Sequence, residues 1–379
     1  MENRRRNFFY VVTEDWYFLS HRLPMARAAQ QAGYDVAVVT HVSSCKEKIE
    51  AAGVRVIPLS LDRRDLNPLK ALGHMAALKK IYADEKPHVV HHIAMKPVLY
   101  GSLAAWWAGV PRVVNAFAGL GYVFYGRTAL AQILRAFLIP AFRFLLKRPG
   151  SHLLLQNKDD LAELEKSGLV PAGRVSVIRG SGVDADAFAQ QPWPESGADF
   201  ICVYAGRMIG IKGLSTLKEA FAQLEKTHPR IKLWLCGQPD PANPGSWTEG
   251  ALKDWAAGAG NVEYKRHCPD MAAIWARAHL ALQASWGGEG IPKSLLEAAS
   301  CGRPIVASDV SGCREIVQNG RNGILAPARD ARALAEAVAR LAGDEKLCRA
   351  MGASGRELAQ REFSADTVTR QTRALYEGL

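Results

Sequence analysis

Residues 278–285 read Ala278-His279-Leu280-Ala281-Leu282-Gln283-Ala284-Ser285, and residues 287–297 read Gly287-Gly288-Glu289-Gly290-Ile291-Pro292-Lys293-Ser294-Leu295-Leu296-Glu297. The first run carries no acid, no lysine and no arginine, and is mostly apolar, as expected of a buried strand. The glycines that follow let backbone N–H groups come close to a ligand. Pro292 suits the first turn of a helix, and that helix runs through Leu295, Leu296 and Ala299 to a stop at Gly302. The whole reads as strand, glycine loop and helix. A helix N-terminus behind a glycine loop attracts anions such as a diphosphate. Glu289 in the loop and Glu297 in the helix set two acceptors near one pocket, suited to sugar hydroxyls. A tight turn with two solvated carboxylates fits the same letters, and this stretch alone leaves both readings open.

Working outward, strand-like runs alternate with helical patterns along the entire chain. In the first half the strands fall near 8–12, 35–40, 54–59, 88–93, 112–117, 151–156 and 174–178, with helices near 23–32, 68–84 and 97–108. This is βαβ rhythm and implies parallel, doubly wound sheet. Residues 180–197 are rich in Gly, Pro, Asp and Ser and read as a linker. A second series follows, with strands near 200–205, 231–236, 262–265, 278–284 and 304–307 and a helical end from about 330. The expected fold class is α/β, with two Rossmann-like domains, 1–180 and 181–379, facing across a cleft that is the expected ligand site. The final helix has the option of packing back on the first domain. A length of 379 residues suits two cores better than one.

Seven scattered cysteines, with no CxxC pair and no metal-ligand spacing, suggest reduced thiols and a cytosolic setting. The start lacks the long apolar region of a signal peptide, and no uncharged apolar run is long enough to span a bilayer. Charge is one-sided. Residues 1–180 hold 25 Lys and Arg against 14 Asp and Glu, the whole of the net +11, while residues 181–379 balance at 23 each. Such a half can face nucleic acid, anionic lipid or a phosphorylated substrate. Segment 129–148 is long and apolar, with Gln132, Arg135, Arg143 and Lys147 in one sector of a helical wheel. It reads either as an interfacial amphipathic helix or as a helix packed on the sheet with its cations outward.

A second anion feature opens the second half. Gly206-Arg207 follows its first strand, and Lys212-Gly213 opens the next helix. Arg offers a fork and Lys a point charge, a pair able to neutralise a diphosphate. At this point the chain resembles the retaining glycosyltransferases of family 4, which have the GT-B fold. The resemblance rests on Gly206-Arg207 with Lys212-Gly213, on Glu289 and Glu297, on Gly302 to Ser308, on Gly312 to Glu315, and on Asn322-Gly323. In the first half, Lys96 to Gly101 and Gly119-Leu120-Gly121 resemble a subgroup extending undecaprenyl-diphosphate-linked sugars.

The resemblance implies that Arg207 and Lys212 bind the donor diphosphate, Glu289 the donor sugar and Glu297 the ribose hydroxyls. It implies that Gly206, Gly290, Ile291 and Pro292 line the donor and that His267 borders the uracil. Arg207, Lys212 and Glu289 are the catalytic candidates. No metal or other cofactor is expected, the UDP-sugar being a substrate, with UDP-N-acetylgalactosamine or a related UDP-hexose as donor. Many relatives carry His or Glu where this chain has Ala118, which leaves the departing diphosphate to take the acceptor's proton. Stretch 13–18 reads as a loop, where Glu14, Asp15 and His21 are acceptor candidates beside Lys96. The expected partners are a nucleotide-sugar donor, a lipid-linked sugar acceptor and an anionic membrane surface met by the N-terminal half, without nucleic acid. The expected location is cytoplasmic, at the inner face of the plasma membrane. Two rival classes remain. An NAD-dependent oxidoreductase expects a GxGxxG turn after the first strand, and residues 11–16 have none. A nucleic-acid-binding protein accounts for the basic half but not for the pairing of Glu289 with Glu297.

Overall fold

The computed structural model describes residues 6–379 except 60, 62–66, 127, 196–198, 242, 267 and 289, and leaves the side chains of 68, 122, 125 and 130 undescribed. The chain forms two compact units, Met1–Gly182 with Asp366–Leu379, and Val183–Ala365. In the first, seven strands lie in the order β3-β2-β1-β4-β5-β6-β7. They are β1 Arg6–Glu14, β2 Tyr34–His41, β3 Arg55–Pro58, β4 Val89–Ile93, β5 Arg112–Ala116, β6 Ser151–Leu155 and β7 Val175–Val177. In the second, six strands lie in the order β10-β9-β8-β11-β12-β13. They are β8 Phe200–Ala205, β9 Ile231–Cys236, β10 Val262–Lys265, β11 Leu280–Gln283, β12 Ile305–Ser308 and β13 Gly323–Ala326. All paired strands run parallel. Parallel strands need helical crossovers, which cover both faces, so Phe8 to Val12 are all buried.

The edge strand β13 has no counterpart among the strands expected from sequence. Gly323 is its first residue. A Cβ there would lie 2.2 Å from the Ile305 carbonyl oxygen, so glycine serves close backbone approach. Asn322 holds the preceding loop, donating to Ile316 O at 2.7 Å and accepting from Gln318 N at 2.7 Å.

The last helix, Ala365–Glu377, docks on the first unit's sheet. Tyr376 is fully buried, and its hydroxyl lies 2.8 Å from both Tyr10 Oη and His91 Nδ1. Burial, with Arg22 and His92 nearby, drives the His91 imidazole well below its ordinary value, so it is neutral. His92 is likewise pushed down to about 4 by burial and sits among Tyr82, Asn115 and Ser102. These strand histidines are interior hydrogen-bonding groups.

Two local expectations need correction. Stretch 13–18 is not a loop: β1 runs to Glu14, and a helix, Asp15–His21, begins at once. Asp15 makes this abrupt junction stable. Its buried carboxylate accepts from its neighbour's amide, Trp16 N, and reaches across to Ser43 N, Ser43 Oγ, Ser44 N and Cys45 N. The carboxyl therefore staples the start of this helix to the 43–45 loop, and its acceptor capacity is spent inside the protein. In helix Ala129–Leu146, Arg135 does not face outward with Arg143 and Lys147. It donates to Val123 O at 3.0 Å and Gly126 O at 2.8 Å, closing the preceding short helix. Ile133 and Phe137 are turned outward instead, at 55% and 77% exposure.

Burial raises the Asp15 pKa, but the hydrogen bonds from Ser43, Cys45 and Trp16 outweigh it and leave the group below its ordinary value. A depressed carboxyl contributes stability that is present above its unfolded pKa and is lost as pH falls through the folded one. Asp15→Ala should therefore lower unfolding free energy by about 1–3 kcal/mol at pH 7, and by less at pH 3. Urea titrations at the two pH values check this; an equal loss at both would assign Asp15 a packing role only.

Candidate functional site

In an open parallel sheet, ligands bind beyond the carboxyl ends of the strands where the strand order reverses. In the second unit that point lies between β8 and β11, which pair directly. The residues following these two strands are the sequence candidates 206–213 and 285–293.

After β8, Gly206 N donates to Cys236 O at 3.0 Å. Gly237 approaches so closely that a Cβ on it would lie 1.9 Å from Gly206 O. Arg207 follows, its Nη1 2.7 Å from Asp240 Oδ2, with 41% of the side chain exposed. Tyr204 Oη donates to Arg207 O at 2.8 Å, fixing the bend. The chain then makes a 3₁₀ turn, Gly210–Lys212, which places Lys212 directly before the helix Leu214–Thr227.

Gly213, between turn and helix, has φ 79°, and a Cβ there would stand 1.9 Å from Ala284 O. No other residue fits. Trp286 N donates to Ile211 O at 2.9 Å, and Trp286 Nε1 donates to Thr216 Oγ1 at 3.1 Å. The Lys212 turn and the loop leaving β11 are thus joined through their backbones. Beyond Trp286, Gly287 and Gly288 take φ of 138° and 69°, conformations that favour glycine. Gly290 is half-buried, Ile291 and Pro292 are buried, and Pro292 caps the helix Lys293–Ser300. The first N–H groups of a helix have no intrahelical acceptors and suit an anion.

Within that helix, Glu297 is largely withdrawn from solvent, its side chain 12% exposed and 4.0 Å from Lys293 Nζ. Burial pushes its carboxyl up to about 7, against the opposing pull of Lys293 and of Trp275. The Trp275 indole N–H is itself buried and makes no hydrogen bond of good geometry. Glu289 and His267 lie outside the described residues.

Two further pieces of the sequence pattern are architectural. Arg303 is fully buried, donating to Trp275 O at 2.8 Å and Pro192 O at 2.6 Å, and burial pushes its guanidinium down to about 10. Asp184 Oδ1 accepts from Asp186 N and Ala187 N, so the Asp-Ala-Asp sequence is a capped turn. Among the described residues no group of three or more His, Cys, Asp or Glu is placed to hold a metal ion.

Family models match both units: "Glycosyl transferase 4-like" over residues 8–157 and "Glycosyl transferases group 1" over residues 199–344. The chain belongs to the group 1, family 4-like glycosyltransferases of GT-B fold. It is 25% identical over 349 residues to the N,N'-diacetylbacillosaminyl-diphospho-undecaprenol alpha-1,3-N-acetylgalactosaminyltransferase of Campylobacter jejuni, covering 87% of this chain and 90% of that one. It is also 25% identical to the putative glycosyltransferase EpsD of Bacillus subtilis, covering 96% of this chain and 94% of that one. Among solved structures, Anabaena HepE in complex with UDP and glucose superposes with a TM-score of 0.78 at 16% identity, covering 98% of this chain and 99% of that one. At that identity the likeness is one of fold.

In the first unit of this glycosyltransferase the reversal point lies between β1 and β4; Glu14 is at the end of the one and Lys96 follows the other, while His21 ends the helix after β1. Glu14 ends β1 half-buried and makes no side-chain cap bond to the helix it precedes. His21 stacks on Tyr17 with ring centroids 4.6 Å apart and meets Ser20 Oγ at 2.6 Å. Lys96 is half-buried at the start of a π-helical turn, Pro97–Gly101, just beyond β4. Asp15, as described, is turned inward. Trp286, Gly213 and Asp240 escaped the sequence reading as site residues. Gly213 stood beside Lys212 and signalled only a helix start, and Asp240 lies in a proline-rich loop without pattern.

A raised carboxyl pKa means the unfolded chain ionises first as pH rises, so a cost to stability accrues between the ordinary carboxylate value and about 7 and is complete above it. Glu297→Gln should therefore stabilise the protein by about 1–3 kcal/mol at pH 8 and change little at pH 4. Denaturant titrations at both values check this. A difference that does not vary with pH would show that Glu297 titrates normally.

Proposed function

We propose that this glycosyltransferase moves a sugar from a UDP-sugar to a polyprenyl-diphosphate-linked sugar, with retention of anomeric configuration. The observation carrying the reading is the joining of the Lys212 turn to the glycine loop at the β8/β11 reversal point. The proposal sets one dianionic group there, against a lysine, an arginine and a helix N-terminus. The relative that acts on an undecaprenol-diphosphate sugar and the neighbour holding UDP supply the substrate classes.

In this reading the diphosphate lies against Lys212 and the amides near Gly290 and Ile291. Arg207, oriented by Asp240, completes the charge balance, so the reaction requires no metal ion. Glu297 accepts the ribose hydroxyls and Glu289 holds the donor sugar. The bond from the anomeric carbon to the β-phosphate oxygen breaks as the acceptor oxygen bonds to the same face of that carbon. The acceptor's proton passes to the departing phosphate oxygen. Electrostatic stabilisation of that leaving group supplies much of the rate. UDP-N-acetylgalactosamine or a related hexose is the donor, and Lys96, Glu14 and His21 serve the acceptor.

The same proposal seats the first unit on an anionic membrane surface. No helix of the described residues is long and apolar enough to cross a membrane. Instead, Ile133, Phe137 and Phe144 face outward from helix Ala129–Leu146, and Trp106 and Trp107 from helix Ser102–Ala108. The Trp106 and Phe144 rings meet at 5.1 Å, and Arg148 lies over both. Apolar rings beside cations match the lipid headgroup boundary.

Two measurements test this. With a UDP-sugar and a polyprenyl-diphosphate sugar, Lys212→Ala should lower kcat/KM by about 10²–10³ while wild-type activity survives EDTA. Full activity in that variant, loss of activity in EDTA, or an inverted product anomer by NMR would contradict the mechanism. For the membrane, Phe137→Glu combined with Ile133→Glu should weaken binding to anionic vesicles about tenfold or more. Unchanged vesicle binding would remove this face from the account.

A further inference from the structure

Cys236 and Cys268 stand together at the edge of the second unit's strand ends. Cys236 is the last residue of β9 and pairs in register with Lys265, the last residue of β10. The Lys265 carbonyl oxygen accepts the Gly237 amide at 3.1 Å and the Cys268 thiol at 3.6 Å. One carbonyl thus holds both the residue after Cys236 and the sulfur of Cys268. Both side chains pack in the same apolar cluster, beside Trp234, near enough that Cys268 helps burial to raise the Cys236 thiol pKa. Cys236 is buried, Cys268 is half-buried, and both are free thiols. Cys202 and Cys348 also lie near one another, but both are fully buried and neither offers a sulfur to solvent.

We propose that Cys236 and Cys268 form a dithiol–disulfide site that a small-molecule disulfide closes and a small-molecule thiol reopens. Cys268, reachable from solvent, attacks first as its thiolate. Its sulfur bonds to one sulfur of the small disulfide, and the other leaves as a thiolate. Cys236 then loses its proton and attacks Cys268 Sγ, forming the protein disulfide and expelling the second small thiolate. The two protons given up by the cysteines end on the two released thiols, so two protein thiols are oxidised and one disulfide is reduced. Burial raises the Cys236 thiol pKa, which lowers its thiolate fraction and slows the second step, so a mixed disulfide on Cys268 is the intermediate to look for.

The location gives the site its consequence. Gly237 follows Cys236 and touches Gly206 O, and Arg266 and His267 immediately precede Cys268. Closure ties Cys268 to the strand end beside Arg207. Resting on the donor site proposed above, and on the resemblance that sets His267, the sequence neighbour of Cys268, beside the uracil, bound nucleotide shields Cys268 from the first attack.

The test uses the full chain treated with oxidised glutathione, with intact mass and peptide mapping as readouts. A transient glutathione adduct on Cys268, then a 236–268 cross-link with loss of two hydrogen masses and reversal by dithiothreitol, is expected. Cys236→Ser should stop at the adduct, and Cys268→Ser should form neither, with circular dichroism confirming that both variants are folded. Adducts without a cross-link in the wild type, or a cross-link formed only in denaturant, would overturn the proposal. UDP at ten times its Kd should slow the first step about tenfold. A cross-link that forms at the same rate with bound UDP would leave the dithiol site standing and remove Cys268 from the donor edge.

Discussion

The contact between Gly213 and the Ala284 carbonyl is the constraint around which the second unit is arranged. A side chain at 213 would overlap the backbone leaving β11. Its absence lets the turn after β8 and the loop after β11 lie against each other, joined by the Trp286 amide to Ile211 O. Strand order brings β8 and β11 side by side, and this contact converts adjacency into a shared surface. The Lys212 turn and the loop that leads to the cap of helix Lys293–Ser300 are thereby held against each other at the β8 and β11 strand ends. Gly237 against Gly206 O repeats the device one strand over, beside Arg207.

Much of this was legible in the sequence because parallel sheets leave a strong signature. Strands buried on both faces read as apolar runs, and twelve of the thirteen were legible, the edge strand β13 being the one missed. The glycine loop, Arg207 and Lys212 were legible because residue types that handle phosphate stood directly after apolar runs. What was not legible depended on long-range contacts. Asp15 looked like a loop carboxylate open to substrate, and only the fold brings residues 43–45 against it. Arg135 matched the polar sector of its helix by periodicity, but the carbonyls of Val123 and Gly126 draw it inward. Asp240, which orients Arg207, lies 33 positions away in a loop with no pattern.

The buried carboxylates show how the same group is put to opposite uses. Asp15 is surrounded by N–H and O–H donors and kept ionised, which makes it a structural tie. Glu297 has a lysine at 4.0 Å and an indole out of hydrogen-bond geometry, too little to offset burial, and so it is poised near neutrality. A group held that way gains most from a ligand that brings hydroxyl donors. The first unit shows the complementary pattern, with neutral histidines tied inside while its excess positive charge and outward aromatic rings remain at the surface.

Hydrogen–deuterium exchange of the full chain with and without UDP tests the shared grip most directly. Slower exchange is expected in two separate stretches at once, 206–214 and 285–296, with the strand interiors unchanged. Slowing in only one of them, or at sites away from the β8 and β11 strand ends, would contradict it.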